Sequence, residues 1–138
     1  MRNVIIASCA LALVVASGCG IGGPKLVPVN GKLTNGGKSP LPDPKGGITI
    51  VFLPTDPNAR KVTYPATPFN QDDNSFTVPG PDGKGIPAGK YKVTINMMVP
   101  GSSPVADKIN EKYTAEKTPI EIDVTGEPVD IDLSKYAK

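Results

Sequence analysis

The side chains able to do chemistry in this chain are few: the thiols of Cys9 and Cys19, the carboxylates of Asp72-Asp73, Asp82, Asp130 and Asp132, and the amine of Lys32. Histidine is absent, which removes an imidazole base, Ser-His and Cys-His nucleophile pairs and histidine-ligated metal. Asp72-Asp73-Asn74 offers oxygen ligands of the kind calcium takes, but without the D-x-[DN]-x-[DN]-G spacing it reads as a solvated turn. Asp82-Gly83 reads as a hairpin turn. Asp130 and Asp132 alternate with Val129, Ile131 and Leu133, so they face solvent, where charge keeps an edge strand from pairing with another chain. Lys32 could form an isopeptide bond to the last strand only if buried, and alternation sets it opposite the inward Leu33. No catalytic, cofactor-binding or metal-ligating residue emerges, and a non-enzymatic protein is expected.

What remains is the thiol of Cys19 and the segment that delivers it. Arg2 is followed by a nearly uninterrupted apolar stretch from Val4 to Ala16, the layout of a secretory signal and too short for a bilayer span of ~20 residues. Ala16-Ser17-Gly18-Cys19 resembles the lipobox of bacterial lipoproteins. That resemblance implies cleavage between Gly18 and Cys19, a palmitate-type diacyl anchor on the Cys19 sulfur and a further acyl chain on its new N-terminus. Cys9, behind Ile6-Ala7-Ser8, is the rival site, but the apolar run ahead of it is too short to feed export. Residues 1–18 are thus a lipoprotein signal peptide, and Gly20, Ile21, Gly22, Gly23 and Pro24 make 19–25 a flexible tether. Two or more acyl chains, at ~0.8 kcal/mol per buried CH₂, hold a protein firmly. The expected partner is therefore a membrane, through the lipid anchor. Gly20 is not the Asp that retains enteric lipoproteins at the inner membrane, which points to the outer membrane of the cell envelope.

Residues 26–138 must supply one domain, within the usual size range. The net charge of +2 falls by one with Arg2, and no basic cluster exists, so no nucleic-acid partner is expected. With Cys9 removed and Cys19 acylated, no disulfide is available in an oxidising compartment. All 16 prolines and all but one of the 15 glycines lie beyond the signal, a density near that of disordered chains. Between them, however, apolar and polar residues alternate through Val27–Leu33, Ile48–Leu53, Phe76–Val78, Tyr91–Met97, Ile120–Val124 and Val129–Leu133. Such period-2 runs bounded by turn formers are half-buried strands. With a seventh at Lys61–Tyr64, they predict an all-β fold of two antiparallel sheets packed face to face. The inward set is Val27, Val29, Leu33, Ile48, Ile50, Phe52, Phe76, Val78, Tyr91, Val93, Ile95, Ile120, Ile122, Val124, Val129, Ile131 and Leu133. One helix of at most two turns is expected after Ser103-Pro104, with Val105, Ile109 and Tyr113 on one face.

Val27-Pro28-Val29-Asn30-Gly31-Lys32-Leu33-Thr34, a glycine turn at Gly36-Gly37, a strand ending Val51-Phe52-Leu53-Pro54 and the run Ile86-Pro87-Ala88-Gly89-Lys90-Tyr91 resemble carboxypeptidase-regulatory-like or transthyretin-like β-sandwiches. With the lipobox, Ile109-Asn110-Glu111-Lys112-Tyr113 and the closing Val129-Asp130-Ile131-Asp132-Leu133, the chain is similar to small envelope lipoproteins of planctomycete-type bacteria. The resemblance implies an Ig-like or transthyretin-like module of about seven strands with a structural or interaction role and no catalysis. The insert Pro40-Leu41-Pro42-Asp43-Pro44-Lys45 departs from it and bears on the first hairpin. The alternative is a carbohydrate- or peptidoglycan-binding module, for which Tyr64, Phe69, Tyr113 and Tyr136 are the aromatic candidates. Long connections at 54–74 and 99–118, both of mixed charge, read first as solvated coverings of the sheet edges, and they are also where an envelope protein or glycan, rather than a small molecule, would bind on such a scaffold.

Overall fold

The computed structural model describes residues 23–59 and 61–137. The expected signal peptide 1–18, the expected cleavage site at Gly18 and Cys19 and the expected tether as far as residue 22 lie outside the described residues. Strands dominate, at 39% of the described residues, and the all-β expectation holds. In chain order they are β1 (Leu26–Val27), β2 (Val29–Thr34), β3 (Gly47–Pro54), β4 (Tyr64–Pro65), β5 (Ser75–Val78), β6 (Ile86–Pro87), β7 (Gly89–Met98), β8 (Glu121–Val124) and β9 (Val129–Asp132), with helix α1 (Pro104–Lys112) between β7 and β8 and a 3₁₀ turn over Leu133–Tyr136.

Alternation sets the two principal sheets. One has the order β5-β2-β9, the other β4-β3-β7-β8, and β1 pairs with β6 as a short ribbon. Their inward residues share one core, and the Phe52 and Phe76 rings meet across the two sheets at 6.1 Å. Each fully buried large side chain contributes ~1.5–3 kcal/mol, and Leu33, Ile50, Phe52, Val78, Val93 and Ile131 are all at most 1% exposed. Of the expected inward set only Ile122 is half-buried rather than buried. Tyr64, Ile86, Met97, Ala106, Ile109 and Tyr113 join the core as well.

Several expectations are corrected. The strands number nine among the described residues rather than about seven, three of them only two residues long. The pairing is not antiparallel throughout: β2 and β9 run parallel, Gly31 opposite Val129 and Leu33 opposite Ile131. A two-residue turn forces its strands antiparallel, whereas β2 and β9 are joined through nearly the whole domain and escape that constraint. The first hairpin does not form, since β2 and β3 belong to different sheets. In its place Gly36 and Gly37, at φ +63° and +77°, make a tight local turn closed by Asn35–Lys38 hydrogen bonds, as paired positive φ values require. Asp82-Gly83 also turns the chain without making a hairpin, because β5 pairs with β2 and β6 with β1. The strand foreseen at Lys61–Tyr64 begins only at Tyr64. In α1 the capping is as expected, with the Ser103 side chain accepting from the Ala106 amide and Pro104 in the first turn. Val105, however, is 49% exposed, and Ala106 takes its place beside Ile109.

The β1–β6 ribbon fixes the relative direction of the sheets. β1 leads into β2 and β6 into β7, so the starts of β2 and β7 lie at one end together with the end of β3 and the β8–β9 turn. Thr34, Gly47, Met98 and Asp132 lie at the other.

Candidate functional site

The chain enters the domain through Gly23, Pro24 and Lys25, all exposed, and is fastened at once. The Lys25 carbonyl accepts from the Ala88 amide at 3.0 Å, Leu26 pairs with Pro87 and Val27 is buried. Gly85 passes so near Val27 that a Cβ there would lie 2.0 Å from the Val27 oxygen, leaving room for no other residue. Behind the ribbon the Tyr91 hydroxyl donates to the Pro87 carbonyl at 2.7 Å, while its ring meets Phe52 and Tyr64 edge-on. Burial, with Tyr64 beside it, pushes the Tyr91 hydroxyl up to about 12, so it stays a neutral donor. Residues 86–91 therefore make a turn and a strand start, as their sequence suggests, and also clamp the incoming chain. That second role was hidden in the sequence, where nothing links Lys25 to Ala88.

The carboxylates serve the backbone. Asp73 accepts from the Ser75 amide at 3.0 Å, and hydrogen bonds with Ser75 hold its carboxyl below the usual range. Asp132 accepts from the Gly36 amide at 2.8 Å and from both the amide and hydroxyl of Ser134. The Gly36 bond is the main reason its carboxyl also sits low. It thus ties the Gly36-Gly37 turn to the C-terminal 3₁₀ turn, a link that alternation alone could not reveal. Asp130 is exposed and in register with Lys32, itself exposed on β2, so the isopeptide geometry is not met. Among the described residues no group of three or more His, Cys, Asp or Glu gathers where a metal could be held.

The aromatic platform needed to stack on sugars is not assembled. Tyr64 and Tyr113 are buried in the core, and Phe69 and Tyr136 pack partly against it. A depression of about 350 Å³ on the β5-β2-β9 sheet is open, with polar groups of Asn30, Lys32, Thr77 and Asp130 around a mostly apolar lining that includes Phe76 and Pro128. No family model matches this chain, nor does any curated protein or solved structure. Its functional reading therefore rests on its own residues.

The long connections prove to be coverings. In 54–74, Ala66 donates to Ile50, Thr67 to Thr77 and Asn70 to Ser75, so the segment passes from the edge of one sheet to the edge of the other. In 99–118 the free edge of β7 is closed: Val93 donates to the Ile120 carbonyl, Ile95 to Tyr113 and Met97 to the Asn110 side chain, which donates back to the Met97 carbonyl at 2.8 Å. The buried Thr118 hydroxyl donates to the Val93 carbonyl at 2.6 Å. Lys117 and Glu111 pair at 3.4 Å but are largely exposed, which gives little stability.

Proposed function

We propose that this protein is a lipid-anchored component of a bacterial cell envelope, held at the membrane by acyl chains on Cys19 and carrying an Ig-like or transthyretin-like two-sheet domain. Its role is structural or interactive, without catalysis or cofactor, and its residence the outer membrane. The observation that carries this reading is the pairing of Ala16-Ser17-Gly18-Cys19 behind an apolar run with a strand domain in which Lys25, already fastened to Ala88, follows so soon after. Supporting it, the carboxylates that could have done chemistry are engaged in turns or exposed on strand faces. The burial of Tyr64 and Tyr113 gives the alternative of a glycan-binding module no support, and an envelope protein is the partner this reading favours.

The test is intact mass and detergent-phase partition of the chain expressed in a Gram-negative host. Wild type is expected to lack residues 1–18, to carry acyl mass on Cys19 and to enter the detergent phase, and Cys19→Ser to lose both. An unacylated wild-type product in the aqueous phase would overturn the reading.

A further inference from the structure

The tether and the domain differ in length in a way that determines how the domain stands. Between Cys19 and the fastened Lys25 the backbone can reach at most about 20 Å, even fully extended at ~3.3–3.6 Å per residue. β7 alone, at ten residues, is about 30 Å long at ~3.3 Å per residue. Inverting the domain would place Lys25 farther from the bilayer than that backbone extends. Exposure does not choose between the ends, because Met98 and Val105 at the far end are 63% and 49% exposed, against 41% for Leu26 and 44% for Val62 at the near one. Covalent reach does choose.

Two loops come together at the near end. Pro24 and Ala59 border one hollow beside Lys90 and Tyr91, and Val62 is tied to Ala59 by a backbone hydrogen bond. This brings the exposed Leu26 and Val62 to the same end. Lys25, Lys84 and Lys90 there are interspersed with Asp82, Asp123 and Glu127, so the surface carries no strong field of one sign, and contact with it needs no anionic lipid.

Given the lipid-anchor reading, on which this rests, we infer that the β1–β6 end lies against the headgroups of the bilayer that holds Cys19, with Leu26 and Val62 as its apolar contacts, while the end bearing the first turn of α1 and the Gly36-Gly37 turn is directed away. The far end is then the surface open to other envelope components.

The experiment uses full-length chain processed in a bacterial host, extracted and reconstituted into phosphatidylcholine vesicles, with Val62→Cys, Leu26→Cys or Val105→Cys labelled by an environment-sensitive fluorophore. Intact mass is taken on each sample, and Cys19, blocked by its thioether, does not label. Nitroxide headgroup lipids are expected to quench the labels at positions 62 and 26 several-fold more than the label at position 105, with little change in raised salt. Equal or reversed quenching on acylated protein would overturn the orientation alone. Absence of acyl mass on Cys19 would overturn the anchor and the orientation together.

Discussion

A single carboxylate shows how little of this protein's polar chemistry is spare. Asp132 joins two turns far apart in sequence by accepting from Gly36 and Ser134, bonds that favour its ionised form and lower its pKa from 3.8. The sign follows from linkage: a carboxyl with a depressed native pKa contributes fully above its unfolded value, and the contribution is lost as pH falls through the native one. Urea midpoints of wild type and Asp132→Asn are therefore expected to differ at neutral pH and to converge as pH drops below about 4. A gap that persists unchanged to lower pH would show that the charge is not what matters. Period-2 alternation revealed that Asp132 points away from the core. It could not reveal Gly36, because the partner arrives through a turn whose position depends on the whole sheet.

At the level of elements, α1 serves as a lid on an open strand. Beyond β8 the edge of β7 would expose unpaired backbone groups, which are a template for another chain, and Asn110, Tyr113, Thr118 and Ile120 occupy them one after another. Replacing Asn110 with Leu leaves the Met97 amide and carbonyl unpaired. Loss of about 2 kcal/mol is expected, at roughly 1 kcal/mol per hydrogen bond, with growth of high-mass species in light scattering. Unchanged stability and a monodisperse sample would contradict this account of the helix. Its capping by Ser103 and Pro104 was legible because caps are local. Its rotation was not: Val105 looked inward by spacing, yet the grip of Asn110 on Met97 turns residues 106, 109 and 113 to the packed side.

For the whole molecule, the core joins the sheets through side chains that the alternating pattern identified almost without error, because burial of every second residue is a property of each strand by itself. Phe52 is fully buried and meets Phe76 of the opposite sheet and Tyr91 of its own. Phe52→Ala should cost about 3–5 kcal/mol, read as a lowered denaturation midpoint in chemical unfolding, and a loss below about 1 kcal/mol would mean that the two layers do not depend on this contact. Which strands become neighbours was hidden, since pairing partners such as Gly31 and Val129 carry no mark of each other. The candidate site divides the same way. Cys19 is proposed from a contiguous motif alone and lies outside the described residues, whereas the clamp of Ala88 on Lys25 exists only once β1 and β6 have met.

The parallel seam between β2 and β9 also bears on when the protein can exist as a folded object. A nascent chain emerges amino terminus first, and β2, among the earliest strands made, waits for one side of its sheet until residues 129–132 have been delivered. Only the Ser75–Val78 strand can join it earlier. Closure of that flank is thereby postponed until everything from β3 to β8 has been delivered, so the second sheet can assemble while the first still lacks a neighbour.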